Sequence, residues 1–349
     1  MDVSLFDFAL PPEQIAQHPA ADREAARLLV LERASGTILA HTTVAALPSY
    51  LRAGDLLALN NTRVFPARLI GRRDPSGGAV ECLLVRRLDG DRWEALVHPG
   101  QKLRPGGRMR FEGAGRELHG EVLERHFHGR RTVRLWTPDG SDVDAVVDAI
   151  GHMPLPPYIH RPDAPADRER YQTVYARERG SIAAPTAGLH LTPRLLEELT
   201  LAGVRRTELT LHVGYGTFKP VRVERVEDHQ VDEEWFEIPE RAAAEIARAR
   251  DENGRVIAVG TTTTRTLEAA ALAGGGEVHA GRGTTGLFIH PGFRFQVLDG
   301  LLTNFHLPRS SLLMLVCALA GREAVLAAYE EAVARGYRFY SYGDAMLII

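Results

Sequence analysis

The chain has 349 residues, of which 44% are hydrophobic and 25% are charged, and its 42 basic and 45 acidic side chains leave a net charge of −3. This composition is typical of a globular protein with about two domains, and it excludes collagen-like, disordered and membrane-spanning chains. Two cysteines cannot form a disulfide framework or a four-thiolate zinc site. The N-terminal segment lacks the basic start and cleavage site of a secretory signal, so we expect a cytoplasmic protein without a membrane partner.

The first part of the chain contains the opening elements of a predicted α/β domain. A predicted strand ends at residues 59–63, where Asn60 and Arg63 either reach a ligand or fix the junction with the next segment. In residues 61–137, short apolar runs alternate with clusters of Gly and Pro, which is typical of a small closed β-barrel. The strands predicted there are Ala67–Gly71, Ala79–Arg86, Arg92–Val97, Arg108–Phe111, Glu117–Arg125 and Thr132–Trp136.

Charge also distinguishes this segment from the rest of the chain. Between Asn60 and Thr137 there are 16 basic and 9 acidic residues, a net of +7. The remainder carries 26 basic and 36 acidic residues, a net of −10. Such an asymmetry indicates either a polyanionic partner for the basic segment or a solvated arginine surface.

The remaining chain alternates predicted helices with apolar runs, which favours an α/β domain that is barrel-like or built on a mostly parallel sheet. We therefore predict a discontinuous α/β catalytic domain, 1–60 and 138–349, with a basic β-barrel inserted at 61–137. Residues 151–185 lack periodicity and form a long loop, which is either functional or partly mobile. The predicted helices are Val143–Ile150, Pro193–Leu201, Pro239–Asp251, Thr264–Ala273, Ser310–Ala320 and Arg322–Gly336, and the predicted strands are Val256–Val259, Gly286–Ile289 and Leu298–Asn304.

Some familiar motifs are incomplete or missing. Residues Gly281–Gly286 match G-x-G-x-x-G by letters, but a strand rather than a helix is predicted after them, so we interpret them as a turn. The histidines have no metal-site spacing and no matching cysteines, and we expect no metal. Cys82 and Cys317 lie in apolar runs, which predicts that both are buried.

Four segments place small and polar residues where strands end before helices, which is where an α/β sheet gathers its ligand contacts. The first is residues 183–190. It offers a hydroxyl at Thr186, exposed backbone at Gly188 and an imidazole at His190. The alternative is a rigid Pro-Gly turn with a core histidine.

The second segment, residues 211–220, has His212 after a predicted strand. Gly214 and Gly216 permit close backbone approach to a ligand. Tyr215 can stack on a base or face a cation. The alternative is a strand-end bulge with aromatic residues in the core.

The third segment, residues 256–265, is a buried strand followed by a helix that begins within four threonines. Amides and hydroxyls at Thr261 and Thr262 suit a carboxylate, a ribose or a phosphate. Arg265 can add a bidentate clamp. The alternative is routine threonine capping with an exposed arginine.

The fourth segment, residues 302–308, places Asn304 and His306 on one face of an extended chain. Both side chains can bind the edge of a purine. The alternative is a helix-entry loop with Asn capping. A weaker fifth segment, Tyr340–Asp344, is either part of a site or a structural turn.

Together these segments resemble the S-adenosylmethionine:tRNA ribosyltransferase-isomerase family of queuosine biosynthesis. The matching stretches follow the order of that family over essentially the whole chain. They are Gly54–Arg68, Gly151–Ile159, Tyr171–Tyr175, Ala184–His190, Leu211–Phe218, Val256–Thr262, Thr303–Pro308 and Tyr342–Met346.

The resemblance implies a large α/β domain with a small inserted β-barrel. It also implies an enzyme that acts on tRNA with 7-aminomethyl-7-deazaguanine at the wobble position of a G-U-N anticodon. The ribosyl part of S-adenosylmethionine is transferred to the aminomethyl group and isomerised, which gives epoxyqueuosine and releases adenine and methionine. S-adenosylmethionine is then a consumed substrate, no cofactor is expected, and we expect the chain to act as a monomer.

This chemistry needs a base that removes a hydrogen from C5′ beside the sulfonium and an acid that protonates the departing adenine. Imidazole can do either near neutral pH, and Asp344 is a further acid candidate. The histidines expected to serve in these steps are His190, His212 and His306.

The polar segments are then expected to bind S-adenosylmethionine. The threonines and Arg265 are expected to hold its carboxylate, Asn304 with His306 its adenine, and an aromatic ring is expected to face its sulfonium. The expected contacts are Thr186, Gly188, Gly214, Tyr215, Gly216, Thr261, Thr262, Arg265, Asn304 and Phe305.

The tRNA must offer an unpaired anticodon base, which proteins bind by stacking and edge contacts. We expect the basic segment to contact the RNA backbone, so that affinity falls steeply with salt. The expected contacts are Asn60, Arg63, Arg125, Arg130, Arg131 and Arg134.

Two alternative functions belong to other classes. An S-adenosylmethionine-dependent tRNA methyltransferase would release S-adenosylhomocysteine, and the absent glycine-rich fingerprint argues against it. A non-catalytic tRNA-binding protein would bind RNA without turnover, and it leaves the polar segments of the α/β domain unexplained.

Overall fold

The computed structural model describes residues 1–218 and 220–349. Its α-helices are α1 Val143–Ile150, α2 Asp167–Arg170, α3 Pro193–Leu201, α4 Glu240–Asp251, α5 Thr261–Ala273, α6 Ser311–Ala320 and α7 Arg322–Ala334. Its strands are β1 Arg27–Leu31, β2 Ile38–Thr43, β3 Leu56–Asn60, β4 Thr62–Val64, β5 Arg68–Asp74, β6 Ala79–Asp89, β7 Arg92–His98, β8 Arg108–Gly113, β9 Arg116–Arg125, β10 Arg130–Trp136, β11 Glu178–Ser181, β12 Arg205–Leu211, β13 Glu234–Ile238, β14 Val256–Val259, β15 Gly281–Thr285, β16 Gly300–Asn304 and β17 Ala345–Ile348.

Strands β5 to β10 form a closed barrel in the order β10-β7-β6-β5-β8-β9, and every neighbouring pair is antiparallel. Alternate residues of each strand point inward, so the apolar runs supply one packed core. Each of the six strands predicted for this segment is present. Closure leaves no free sheet edge, which is why such short strands are stable together.

Helix α1 packs on the outside of this barrel. Its Val146 and Val147 belong to the same apolar cluster as Leu118 and Val122 of β9. The barrel core therefore includes a helix that lies beyond residue 137. How the chain divides into domains stays a prediction.

The larger part of the chain is built on a nine-stranded sheet in the order β15-β13-β12-β3-β14-β16-β17-β1-β2. The four central strands β12, β3, β14 and β16 are parallel, whereas β13, β15, β17 and β2 each pair antiparallel with a neighbour. The predicted α/β architecture with an all-β barrel is confirmed, and the sheet is mixed.

Helices cover both faces of this sheet, as the alternation along β3 indicates. Leu56 and Ala58 pack with α4 and α5, whereas Leu57 and Leu59 pack with α3. All five residues of β3 are buried, as expected for a strand enclosed by helices on both sides.

The four central strands end at one edge of the sheet. Their last residues are Asn60, Leu211, Val259 and Asn304. The chain leaves each strand there into a loop or a helix start. This edge is where open α/β sheets bind their ligands.

The predictions for residues 281–289 are wrong. Gly281–Thr285 is not a turn but the edge strand β15, which pairs antiparallel with β13. Gly286–Ile289 forms no strand. Gly283 has a packing reason, because a Cβ there would lie 2.9 Å from the ring of Phe236.

Both cysteines are buried as predicted, Cys82 in the barrel and Cys317 in α6. Burial raises the pKa of each thiol to about 12. Among the described residues no single helix has the length and apolar composition of a membrane span; α6 and α7 meet those criteria only as a pair bent by 116°.

Candidate active site

Two cavities open at the carboxyl edge of the central strands, and Val213 lines both. The first, here called the threonine cleft, is a narrow cavity of about 50 Å³. Its walls bring together all five of the segments singled out from the sequence. They include Thr186, Gly260, Thr261, Thr262, Thr303, Asn304, His306, Tyr340 and Ser341.

Helix α5 begins at the wall of the threonine cleft. Its N-cap is Gly260, which has a φ of +96° and no side chain to cap the helix. Thr261 and Thr262 follow, and both line the cleft. The first-turn amides and the positive end of the helix dipole therefore suit an anion such as a carboxylate.

A hydrogen-bond pattern fixes Asn304 at the end of β16. Its Nδ2 donates to the carbonyl of Tyr340 and to Nε2 of His190, both at 3.1 Å. Both bonds use the nitrogen, which leaves Oδ1 for a ligand. Because Nε2 of His190 accepts the hydrogen bond from Nδ2 of Asn304, Nδ1 carries the ring hydrogen. His190 thus supports Asn304, and its Nε2 is not available as a base.

His306 lines the threonine cleft two residues beyond Asn304. Its Nε2 lies 2.9 Å from Oγ1 of Thr303, and its backbone N–H donates to the hydroxyl of Tyr329 at 3.2 Å. Burial lowers the pKa of His306 to about 3. The imidazole is therefore neutral at physiological pH.

The second cavity, here called the interdomain cleft, lies between the barrel and the sheet and has a volume of about 700 Å³. From the sheet side it is lined by the segment after β12 and by the start of β13, and from the barrel side by arginines and Trp93. Arg130 bridges the two sides, at 2.8 Å from Glu94 and 2.5 Å from Asp232. Predicted residues that line it are Arg130, His212, Gly214, Tyr215 and Gly216.

His212 lies in a narrow slot on the wall of the interdomain cleft. Its ring stacks on Trp235, with centroids 5.0 Å apart and planes 19° from parallel. Its Nδ1 lies 2.9 Å from Oγ1 of Thr62. Burial lowers the pKa of His212 to about 4, so this imidazole is also neutral near pH 7.

Five residues predicted to act on S-adenosylmethionine line neither cleft, and one of them is His190, which supports Asn304. Gly188 is buried, and a Cβ there would lie 2.1 Å from the hydroxyl of Tyr175, so packing accounts for this glycine. Phe305 is fully buried among aromatic rings of the core. The other two are Arg265 and Asp344.

Arg265 is not the exposed arginine of the alternative interpretation, and it does not line the threonine cleft, where a clamp on the carboxylate was expected. Its side chain is 6% exposed and is paired with Glu234, which also accepts a bond from the N–H of Gly214 at 2.9 Å. Asp344 accepts bonds from the backbone N–H groups of Arg27 and Arg338, at 3.0 and 2.8 Å. The side chains of Arg265 and Asp344 therefore bind groups within the protein and stabilise the fold.

Two of the residues predicted to contact tRNA are buried. Asn60 is fully buried, and its amide bonds both backbone groups of Leu211, each at 3.0 Å. Arg131 is 2% exposed and donates to the carbonyl of Gly100 at 2.9 Å. The exposed members of the set are Arg63, Arg125 and Arg134.

Several site residues escaped the sequence interpretation. The residue type alone does not indicate a binding role for Gly260, Thr303 or Ser341, although each lies in or beside a segment that was singled out. Tyr340 has a φ of +74°, which is rare for a residue with a side chain. Tyr158 approaches it edge-on at 3.8 Å between ring centroids. Neither conformation nor contact is visible in the sequence.

Comparison with known proteins relates the whole chain to one family. The family model described as "Queuosine biosynthesis protein" matches residues 3–348. Proteins named S-adenosylmethionine:tRNA ribosyltransferase-isomerase from Heliobacterium modesticaldum, Moorella thermoacetica and Desulfitobacterium hafniense are 54%, 52% and 51% identical over the full length of both chains.

A solved structure supports the same relationship. The crystal structure of S-adenosylmethionine tRNA ribosyltransferase from Thermotoga maritima is 38% identical and covers 99% of this chain and 100% of its own, with a TM-score of 0.56. Sequence and architecture thus agree over the whole length of the molecule. The chain belongs to the queuosine biosynthesis protein family.

Proposed function

We propose that this chain is an S-adenosylmethionine:tRNA ribosyltransferase-isomerase. It transfers the ribosyl group of S-adenosylmethionine to 7-aminomethyl-7-deazaguanine at the tRNA wobble position, forms epoxyqueuosine, and releases adenine and methionine. The observation that carries the proposal is the full-length identity above 50% to relatives with this name. The two adjoining cavities are consistent with it, because the reaction needs one site for each substrate.

In this proposal S-adenosylmethionine binds in the threonine cleft. Its carboxylate lies at the N-terminus of α5, against the amides and hydroxyls of Thr261 and Thr262. Its adenine donates from the exocyclic amine to Oδ1 of Asn304. The ribose then lies towards Val213, where the threonine cleft adjoins the interdomain cleft.

The modified base enters through the interdomain cleft. Tyr215 and Trp235 line this cleft and offer aromatic rings on which a base can stack. The acidic residues 232–234 and the barrel arginines also line this cleft, where Asp232 is paired with Arg130 and Glu234 with Arg265. The amine of the base and the tRNA phosphates therefore compete with these ion pairs.

We assign removal of the C5′ hydrogen to His306. Deprotonation converts the sulfonium cation into a neutral ylide, so positive charge moves from sulfur to the imidazole and the total charge in the cleft stays the same. The buried ring of His306, whose pKa is about 3, therefore takes up the proton without adding net charge to the cleft. All residues in this scheme belong to one chain, which acts as a monomer in the cytoplasm and consumes S-adenosylmethionine without a cofactor.

Product analysis tests this function. The protein is mixed with S-adenosylmethionine and tRNA that carries the aminomethyl base, and released small molecules are identified by mass spectrometry. We expect adenine and methionine in equal amounts, and neither with tRNA that carries unmodified guanine. S-adenosylhomocysteine would instead establish methyl transfer, and tight tRNA binding without any product would establish a binding protein.

A further inference from the structure

The departing adenine has no stabilising group among the residues predicted to act as its acid. Asp344 accepts backbone N–H groups, and Nε2 of His190 accepts from Asn304. His306 is assigned to the C5′ hydrogen. The threonine cleft contains one further group able to help, the hydroxyl of Tyr171, a residue that lines this cleft and is fully buried.

The hydroxyl of Tyr171 is a donor without an acceptor. Within residues 1–218 and 220–349, no group forms a hydrogen bond with it. The N–H of Ala184 and the hydroxyl of Ser341 lie near its oxygen and favour the ionised form, so both face it as donors. The hydrogen of Tyr171 is therefore unused, and a buried O–H group of this kind costs free energy unless a ligand accepts it.

The ring of Tyr171 has a fixed position. It meets the ring of Tyr342 edge-on, with 5.8 Å between centroids and 76° between planes. The hydroxyl of Tyr342 donates to the carboxylate of Asp167 at 3.0 Å, and the backbone N–H of Tyr171 donates to the carbonyl of Asp167 at 2.9 Å. The free hydroxyl is therefore positioned by the fold and not by a ligand.

Contacts place Asn304 beside the same part of the threonine cleft. Ser341, which lies near the hydroxyl of Tyr171, follows Tyr340, and the carbonyl of Tyr340 accepts Nδ2 of Asn304 at 3.1 Å. Oδ1 of Asn304 is then an acceptor, and the hydroxyl of Tyr171 is a donor. One edge of adenine carries the complementary pair, the N6 amine as donor and N7 as acceptor. Because the cleft is only about 50 Å³, its walls must part to admit this edge.

We propose that the hydroxyl of Tyr171 donates a hydrogen bond to N7 of the adenine of S-adenosylmethionine and stabilises the adenine as it leaves. Tyr171 is a catalytic residue in this inference, which rests on the proposed function. Cleavage of the bond between C1′ and N9 leaves the electron pair on adenine, and conjugation spreads the negative charge to N7. A fixed donor stabilises this charge more than it stabilises the intact substrate, which is the condition for raising kcat.

Tyr171 keeps its own proton throughout. Burial raises the pKa of its hydroxyl above the ordinary value of a tyrosine, so transfer of the proton to adenine is unfavourable. Adenine takes its proton at N9 from water, and the hydroxide that forms is neutralised by the proton that His306 removed from C5′. Protons and charge therefore balance, and Tyr171 begins and ends as a neutral phenol.

Binding without turnover tests the contact at N7. The protein is first bound to tRNA with unmodified guanine at the wobble position, which offers no aminomethyl group. Calorimetry then measures the affinity for S-adenosylmethionine and for its 7-deaza analogue, which has a C–H group in place of N7. We expect the wild type to bind S-adenosylmethionine about tenfold more tightly than the analogue, and Tyr171→Phe to bind both equally. Equal affinities in the wild type, or no binding of either ligand, would overturn the inference.

The kinetic test pairs Tyr171→Phe with Tyr337→Phe. Tyr337 is also fully buried, but its hydroxyl lies 2.8 Å from Nδ1 of His41, and neither residue lines a cleft described above. We expect Tyr171→Phe to lower kcat about 10²-fold and to raise the KM for S-adenosylmethionine by about tenfold or less. Tyr337→Phe should keep both values. An unchanged kcat in Tyr171→Phe would contradict the catalytic role.

The outcomes separate the two proposals. If the wild type releases no adenine and methionine from the aminomethyl tRNA, the proposed function fails, and the binding experiment still decides whether Tyr171 contacts N7. If the wild type is active but does not distinguish the two ligands, the function stands and the inference fails. A Tyr171→Phe variant that loses kcat and still prefers S-adenosylmethionine to the analogue would make Tyr171 a structural residue and would also overturn the inference.

Discussion

Three histidines with one expected role occupy three different environments. His190 supports Asn304, His212 is clamped between Trp235 and Gly180, and His306 lines the threonine cleft. The sequence could indicate that these imidazoles lie near a site, because each follows a strand end or precedes a helix. It could not separate their roles, because the tautomer of each ring depends on partners far away in the chain.

Burial of these histidines predicts how stability depends on pH. The folded-state pKa is about 4 for His190 and about 3 for His306, below the value of 6.5 for an accessible histidine. The unfolded chain therefore binds more protons below about pH 6.5, so the free energy of unfolding falls as the pH falls. Between pH 6.5 and pH 5, each of these two histidines should lower the free energy of unfolding by about 2 kcal/mol.

Urea unfolding of the wild type and of the double variant His190→Gln, His306→Gln at pH 7 and pH 5 measures this effect. Glutamine keeps an acceptor for Asn304 and does not titrate. The double variant should lose much less stability over this interval than the wild type. Equal losses in both proteins would show that these rings are accessible to protons in the folded state.

Asp344 tests whether a carboxylate beside the site is catalytic or structural. Its oxygens accept the N–H groups of Arg27 and Arg338. Asp344→Ala leaves these buried donors unpaired and should lower the free energy of unfolding by about 2 to 4 kcal/mol, with kcat per folded molecule unchanged. His306→Ala, the matched control, should abolish turnover at a small cost in stability. A large fall in kcat with an unchanged free energy of unfolding would instead indicate that Asp344 is the acid that protonates the departing adenine.

At the scale of elements, periodicity predicted the helices well. The predicted bounds of α1 and α3 match the structure, and α5 begins three residues earlier than predicted. The predicted helix does not include Thr261 to Thr263, because these residues show no apolar periodicity. The strand β15 was missed for a related reason, because glycines and polar residues on an exposed edge show no apolar alternation. The order of strands was not predictable, since the mixed sheet is set by contacts between distant segments.

The start of α5 gives a prediction about an element rather than a side chain. Gly260 has a φ of +96°, and a Cβ there would have room, because its nearest neighbours are 3.8 and 3.9 Å away. Gly260→Ala is therefore strained through the backbone alone, by about 1 to 2 kcal/mol. Relief of this strain should move the first turn of α5 and raise the KM for S-adenosylmethionine several-fold.

Gly321 provides the matched control for this substitution. It joins α6 to α7 with a φ of +85°, and no atom lies within 4 Å of the Cβ position. Gly321→Ala should lose similar stability in urea unfolding, with the KM unchanged. If both variants change KM equally, or if neither does, the N-terminus of α5 does not hold the substrate.

For the whole molecule, the net charge of a segment did not predict which arginines are available to RNA. Many barrel arginines are paired within the protein: Arg68 with Glu81 at 2.8 Å, and Arg86 with Glu94 at 2.7 Å. Arg130 joins the barrel to the sheet domain through Asp232. Which arginines stay exposed depends on how strands pair across the barrel, and this information is not in the local sequence.

The exposed barrel arginines give a prediction for tRNA binding that salt can test. Arg125 and Arg134 are exposed on the barrel, although Arg134 is also paired with Glu121 at 2.9 Å, whereas Arg131 is buried. If the first two neutralise phosphates, replacing either by Ala should reduce the slope of log affinity against log salt concentration by about 0.7 to 0.9, since each contact releases a counterion. Arg131→Ala should leave the slope unchanged and lower the melting temperature, because it only unpairs buried groups. Binding measured from 50 to 200 mM salt decides between these outcomes. Unaltered slopes for both exposed variants would place the RNA on another face of the molecule. A reduced slope for Arg131→Ala would mean that RNA binding depends on the fold of the barrel rather than on its surface charge.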